Sequence, residues 1–150
     1  MKRGPETDLA ARYADRLGKG ARSCGIVWDG VTELTEAREA TTAMRRDAEA
    51  SAILDRIPPG ASLIALDERG RTLASEAFAT DIARRRDGGA SHLVFAIGGP
   101  DGHGEALRAR ADSLLAFGSM TWPHQLVRVM LLEQLYRATT ILSGHPYHRS

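Results

Sequence analysis

Residues 92–102 read His92-Leu93-Val94-Phe95-Ala96-Ile97-Gly98-Gly99-Pro100-Asp101-Gly102. The continuous apolar run predicts a strand over 92–97. Such a run leaves no polar face for water, so the strand is expected to be covered on both sides. It feeds straight into glycines, which lack a Cβ and let backbone turn tightly or approach a ligand closely.

Working outward from there, the pattern repeats. Residues 61–66 are a second apolar strand, closed by a predicted turn at Asp67-Glu68-Arg69-Gly70. Residues 114–121 are strand-like, and residues 23–28 are short and apolar enough for a strand. Helices are predicted between them. Residues 5–17 carry Leu9, Tyr13 and Leu17 at helical spacing, with Gly18 and Gly20 as the stop. Residues 32–57 are rich in Ala, Glu and Arg and stop at Pro58-Pro59-Gly60. Ser75 opens another helix, with Phe78 and Ile82 on its apolar face and Arg84-Arg85-Arg86 at its end. Residues 104–111 and 123–142 complete the set. Alternating helices and fully apolar strands predict an α/β fold over 1–150, one domain, with a mostly parallel sheet and helices on both faces.

A chain of 150 residues is long enough for a real core. Its 20 Lys and Arg nearly balance 19 Asp and Glu, so no strong overall field draws it to nucleic acid or membrane. Cys24 is the single cysteine, which forbids an internal disulfide and suits the cytoplasm. It reads as a small buried hydrophobe. Behind Met1 there is no apolar run of signal-peptide or membrane-spanning length.

The last helix has an unusual wheel. At about 100° per residue, Val127, Leu131, Leu135, Ala138 and Leu142 fall on one side of Arg128, and Val129, Leu132 and Tyr136 on the other. Arg128 therefore leaves the middle of a broad apolar arc. A charge there is costly unless it is paired, reaches water along its stem, or faces an interface or an anionic ligand. Pro123 suits the first turn and Ser143-Gly144 the stop. A dense polar and aromatic tail follows, His145-Pro146-Tyr147-His148-Arg149, and it calls for a docking place.

Open α/β sheets bind ligands beyond the carboxyl ends of their strands. Three turns are expected at such ends: 67–70, 98–102 and 120–123. The glycine turn is neither the dinucleotide fingerprint nor a phosphate loop with its lysine, and no serine-hydrolase elbow occurs. His145 and His148 lack carboxylate support, so no metal site is expected.

Several of these residues carry a resemblance. Leu66-Asp67-Glu68-Arg69-Gly70, Phe95 to Gly102, Ser119-Met120-Thr121-Trp122-Pro123-His124-Gln125-Leu126-Val127-Arg128, Glu133 to Ala138 and His145 to Arg149 together resemble the ribosomal RNA large subunit methyltransferase H family. That family belongs to the SPOUT superfamily of knotted methyltransferases, and the likeness runs from Pro58 to the C-terminus. It implies a cytoplasmic homodimer that binds S-adenosyl-L-methionine and methylates N3 of a pseudouridine in large-subunit (23S) rRNA on the assembled ribosome. It implies a C-terminal trefoil knot, which chain-connection rules alone would argue against. It places cofactor contacts at Leu66, Gly98, Phe117, Gly118, Ser119, Met120, Thr121 and Trp122. For the reaction that it implies, the chemistry of the side chains makes Arg128, Tyr147, His148 and Arg149 the candidates, none of them an unambiguous base. The pseudouridine proton leaves to His148, or to water with Arg128 or Arg149 stabilising the anion.

The family opens with a hydrophobic strand before its first helix. Here Met1 to Glu6 is Met-Lys-Arg-Gly-Pro-Glu, and the helix follows at once. The sheet is therefore expected to lack that strand, through its loss or through a start assigned too far downstream. Two other readings stay open. One is a ribosome- or RNA-binding dimer of the same fold without turnover. The other is an α/β enzyme using a different adenine-containing ligand.

Overall fold

Along the chain come α1 (Pro5–Ala21), a 3-10 turn (Arg22–Cys24), α2 (Thr42–Leu54), β1 (Ser62–Arg71), α3 (Ser75–Asp87), β2 (Leu93–Ile97), α4 (Glu105–Arg110), β3 (Ser113–Leu115) and α5 (His124–Ser143). The computed structural model describes residues 4–99 and 101–149. The chain divides into two compact units. One takes in the described residues of Met1–Glu33, Leu73–Arg84 and Gln125–Ser150, the other those of Leu34–Thr72 and Arg85–His124.

The second unit holds the sheet, in the order β2-β1-β3 with both pairings parallel. β1 is central and apolar on both faces: Leu63 and Ala65 are fully buried, Ile64 and Leu66 nearly so. Leu63 and Ala96 pack with Ala50 of α2 and Leu107 of α4, and Val94, Ile53 and Leu54 close around them. Burying a leucine this completely contributes about 1.5–3 kcal/mol. The continuous apolar runs thus mark a strand with no wet face, as expected.

The expected boundaries change where local chemistry intervenes. α2 begins at Thr42, not 32, because Thr41 caps it: its Oγ1 accepts the Met44 N–H at 3.1 Å. Ahead of it, the Ala37 N–H donates to Glu49 Oε2 at 3.3 Å, a partner that helix would not need. β1 does not stop at Leu66. It passes through an irregularity and resumes at Arg71, so that Leu115 is the partner of both Leu66 and Arg71. Residues 67–70 are therefore a bulge within the strand rather than its end. β3 is confined to Ser113–Leu115, not extended to 121. The Ala116 N–H donates to the Arg71 carbonyl at 2.9 Å, and Gly118 then turns to φ +104°.

In the first unit, α1 and α5 share a core of Ala10, Leu17, Ala21, Val129 and Leu132, with Tyr13, Trp28 and Tyr136 around it. α1 runs through Gly18 and Gly20 to Ala21 instead of ending there. Gly20 serves close packing: a Cβ on it would sit 2.6 Å from Thr139 Oγ1. Residues 23–28 form no strand. Gly25 turns left-handed at φ +71°, and Ile26 and Trp28 pack onto the helical core. Cys24 is buried and its Sγ donates to the Thr139 carbonyl at 3.2 Å. Among the described residues β1 is the first strand of the chain. The expectation about an opening strand falls partly on residues 1–3, which lie outside the described residues.

Candidate functional site at the strand ends and the C-terminal tail

The register of the sheet assembles the first group of expected residues. Leu66 of β1 pairs with Ile97 of β2 and with Leu115 of β3. Gly98 follows the first partner directly, and Phe117 follows the second after Ala116. Leu66 in the middle of β1 therefore lies level with the carboxyl ends of β2 and β3, from which the other two expected cofactor segments leave.

Each segment is held by short-range bonds. In the 117–122 loop, Trp122 Nε1–H donates to the Phe117 carbonyl at 3.2 Å, and Thr121 Oγ1–H to Glu68 Oε2 at 3.0 Å. Ser119 is exposed, and the side chains of Met120 and Trp122 stand in solvent at 73% and 42% exposure, unusual for apolar residues of that size. In the bulge, the Arg69 N–H and Nε–H both donate to Asp67 Oδ1, at 2.9 and 3.2 Å. Burial pushes the Asp67 carboxyl up, and the bonds from Arg69 outweigh it, leaving the group below its usual range.

The glycine turn closes with the Gly102 N–H on the Gly99 carbonyl at 3.0 Å, and Gly102 adopts φ +79°. Pro100 lies outside the described residues. A Cβ on Gly98 would stand 3.2 Å from the Gly102 carbonyl carbon, so the turn itself is closely packed at this glycine, apart from any ligand. α2 braces the turn. Arg45 Nε donates to Asp101 Oδ2 at 2.7 Å, and Arg46 Nε to the Asp101 carbonyl at 2.6 Å. The bond from Arg45 holds the Asp101 carboxyl below its usual range. Glu49 lies against Gly99, and its Oε1 is buried without a hydrogen-bond partner among the described residues. Beneath the turn is His103, 5% exposed, with Nε2 3.2 Å from the Ala96 carbonyl.

The expected catalytic residues lie in the other unit. Arg128 does not leave its apolar arc unpaired: Nη1 is 3.5 Å from Glu33 Oε2, and the side chain is 19% exposed. The tail docks on α5 and on α3. Arg137 grips Glu133 with two bonds, Nε to Oε1 at 3.0 Å and Nη2 to Oε2 at 2.9 Å. The Tyr147 hydroxyl donates to Glu133 Oε2 at 3.3 Å, its ring meets Tyr136 edge-on at 4.8 Å, and the Arg137 guanidinium lies 5.0 Å from its centroid. Burial, with the Glu133 charge beside it, pushes the Tyr147 hydroxyl up to about 12.

His148 is held at both nitrogens. Nδ1 is 3.1 Å from Arg137 Nη1 and Nε2 is 2.8 Å from Glu76 Oε1. A guanidinium only donates, so Nδ1 must be the bare nitrogen and Nε2 carries the proton. In this arrangement the Nδ1 lone pair is engaged by Arg137. Arg149 and His145 are exposed. The arginine run at the end of α3 is engaged locally: Arg84 pairs with Asp81, Arg86 with Asp87 at 2.9 Å, and Arg85 Nη2 donates to Ser113 Oγ at 3.0 Å.

Sequence reasoning did not select Glu49, Glu76, His103, Glu133 or Arg137 as site residues. His103 carried a signal in its place directly after the glycine turn, and Glu133 and Arg137 in the 133–138 stretch that carries the resemblance. Among the described residues no group of three or more His, Cys, Asp or Glu side chains is arranged to hold a metal ion, and no helix is long and apolar enough to cross a membrane.

The comparisons with known proteins agree with one another. The family model described as "Predicted SPOUT methyltransferase" matches residues 1–148. A protein of Brucella anthropi named Ribosomal RNA large subunit methyltransferase H is 55% identical over 150 residues, covering 100% of this chain and 94% of that one. Proteins of the same name from Mesorhizobium japonicum and Brucella abortus are 53% and 52% identical, over 150 and 159 residues, with the same two coverages.

Proposed function

The chain belongs to the SPOUT methyltransferase family, and on that premise we propose that it is an S-adenosylmethionine-dependent methyltransferase of large-subunit ribosomal RNA. The finer reading is methylation of N3 of a pseudouridine on the assembled ribosome, by a cytoplasmic homodimer with a knotted C-terminal segment, each chain one SPOUT domain. The pairing of Leu66 with both Ile97 and Leu115 supports the cofactor reading, because it sets the β1 bulge, the glycine turn and the 117–122 loop at one level of the sheet.

When bound, S-adenosylmethionine supplies an electrophilic methyl group on a sulfonium. The residues present fit such a ligand. The Leu66 and Gly98 backbones and the 117–122 loop offer peptide donors and acceptors, and the Met120 and Trp122 side chains offer apolar surface. Glu49 Oε1 is a buried acceptor beside Gly99, without a partner among the described residues, and suits a ligand with amino or hydroxyl groups. The contribution of these groups is positioning, the main term when two reactants must meet in line.

The target nitrogen must lose its proton. His148 has no free lone pair while Arg137 and Glu76 hold it. Water is therefore the acceptor in this arrangement, and a cationic fork stabilises the developing anion. Arg149, exposed at the end of the tail, is the residue assigned to that fork, with Arg128 supporting it. Tyr147 orders the tail through Glu133 and offers a face for a base.

The test is mass analysis of ribosomal RNA from a strain lacking its own enzyme, before and after complementation with this chain. Restoration of one methyl group at the pseudouridine is expected. Calorimetry with S-adenosylmethionine separates the failures: binding without methylation would favour a ribosome-binding dimer, and no binding would remove the cofactor assignment.

A further inference from the structure

His103 is the buried titratable group that the proposed reaction does not use. It follows the glycine turn and lies under it. Nε2 donates to the Ala96 carbonyl at 3.2 Å, since a carbonyl only accepts. The Leu66 carbonyl of β1 also favours a charged ring. A Cβ added to Gly98 would sit 3.4 Å from His103 Cε1. One imidazole thus bonds to β2 near its carboxyl end and lies against the first residue of the glycine turn.

A neutral imidazole has one N–H and satisfies one carbonyl at a time. An imidazolium satisfies both and adds a charge. The surroundings pull in opposite directions. Burial disfavours the charged ring, as does Arg108 of α4, while Asp67 of β1 and the carbonyls of Ala96 and Leu66 favour it. Burial prevails, so the ring is neutral at neutral pH, below its usual range. Arg108 also donates to the His103 carbonyl at 2.8 Å and so fixes the residue from α4. On the α2 side, Arg45 and Arg46 are bonded to Asp101, and Glu49 lies on Gly99.

We propose that His103 is a positioning residue that fixes the Leu66 and Gly98 segments for the cofactor, and that its protonation weakens cofactor binding. The inference rests on the cofactor reading above. Protonation recruits the Leu66 carbonyl inward and places a positive charge beneath a ligand that itself carries a sulfonium and an ammonium group. Both effects oppose binding.

The experiment measures S-adenosylmethionine affinity by calorimetry from about pH 5 to about pH 8, for the wild-type chain and for His103→Gln, whose side-chain amide can still donate to the Ala96 carbonyl but does not titrate. Wild-type affinity should weaken as pH is lowered, by at most about tenfold per unit, the limit for one linked proton. The variant should be flat within about twofold across the same range. A variant that reproduces the wild-type slope would overturn the proposal. A second measurement needs no variant. The His103 ring is titrated by NMR with and without saturating S-adenosylmethionine, and linkage requires its midpoint to drop on binding. Binding with an unmoved midpoint overturns this inference alone. No binding by the wild-type chain at any pH overturns the cofactor assignment, and this inference with it.

Discussion

His148 donates its Nε2–H to Glu76 Oε1 at 2.8 Å, across 72 positions of sequence. Together with the Glu133 and Arg137 contacts, this bond gives the tail the docking place that its composition called for. The bond from His148 is the largest cause holding the Glu76 carboxyl below its ordinary value of 4.5. A lowered carboxyl contributes stability that is present above the ordinary value and is lost as pH falls through the lowered one. Hydrogen-exchange protection at Tyr147 and His148 should therefore hold at neutral pH and fade below about pH 4.5. Glu76→Ala should remove it at every pH. Tail protection unchanged by either treatment would show that this bond does not hold the tail.

Tyr147 should titrate late, above the ordinary tyrosine range. Burial raises its hydroxyl to about 12 from an ordinary 10.0, so the folded chain keeps a proton that the unfolded chain gives up. The resulting contribution to stability is complete below pH 10 and disappears as pH rises toward 12. Absorbance titration of the phenolates checks this, and Tyr147→Phe should delete the late step. A late step that survives in the variant would show that it does not belong to Tyr147. At neutral pH the same substitution removes one partly buried hydrogen bond and should cost about 1 kcal/mol.

Gly20→Ala should destabilise although alanine is the better helix former. The propensity gain is about 1 kcal/mol. Against it, the new Cβ would meet Thr139 Oγ1 at 2.6 Å, and overpacking of that kind costs about 1–3 kcal/mol. Thr139→Ala removes the offending atom, so the double variant should be more stable than the Gly20→Ala single one. Urea unfolding of all four chains gives the coupling. Strict additivity would mean that α1 and α5 do not meet at this point.

Gly70→Ala should be more damaging still. The obstruction is backbone: the added Cβ would lie 2.5 Å from the Leu114 carbonyl carbon and 2.6 Å from the Leu115 nitrogen. Neither atom can rotate away, and the β1–β3 pairing at the bulge must open. A loss of about 3 kcal/mol or more is expected. Gly89→Ala is the control. Its φ is +91°, and among the described residues nothing lies within 4 Å of the added atom, so only backbone strain of about 1–2 kcal/mol applies. Equal losses for the two would argue against close packing at Gly70.

Much of the fold was legible because its signals are local. The runs at 61–66 and 92–97 hold strands because their apolar cores, Leu63 to Leu66 and Leu93 to Ile97, offer no polar face to water, and the strands are parallel because helices separate them. The misreadings have two causes. Residues 32–41 have the composition of helix yet are not helical, since the Thr41 cap, a local signal, starts the helix later and the Ala37 N–H is taken by Glu49. Gly20 looks like a stop and is a packing contact, and residues 67–70 look like a turn and are a bulge. At Gly20 and at 67–70 a partner distant in sequence, Thr139 or Leu115, outweighed a preference of about 1 kcal/mol per residue or less.

The strand cores, the long last helix, the glycine turn and, through its motifs, the family are all written in the order of residues. They follow from apolar periodicity, capping chemistry and residue identity, each of which is read along the chain. Folding in three dimensions added that Leu66 pairs with both Ile97 and Leu115, that Arg128 meets Glu33, that His148 is pinned between Arg137 and Glu76, and that His103 sits under the turn. Register and ion pairing are relations between segments brought together by burying apolar surface, and no local property of either segment encodes the other. A buried polar group must still find a partner, and which partner it finds is settled only when the packing is.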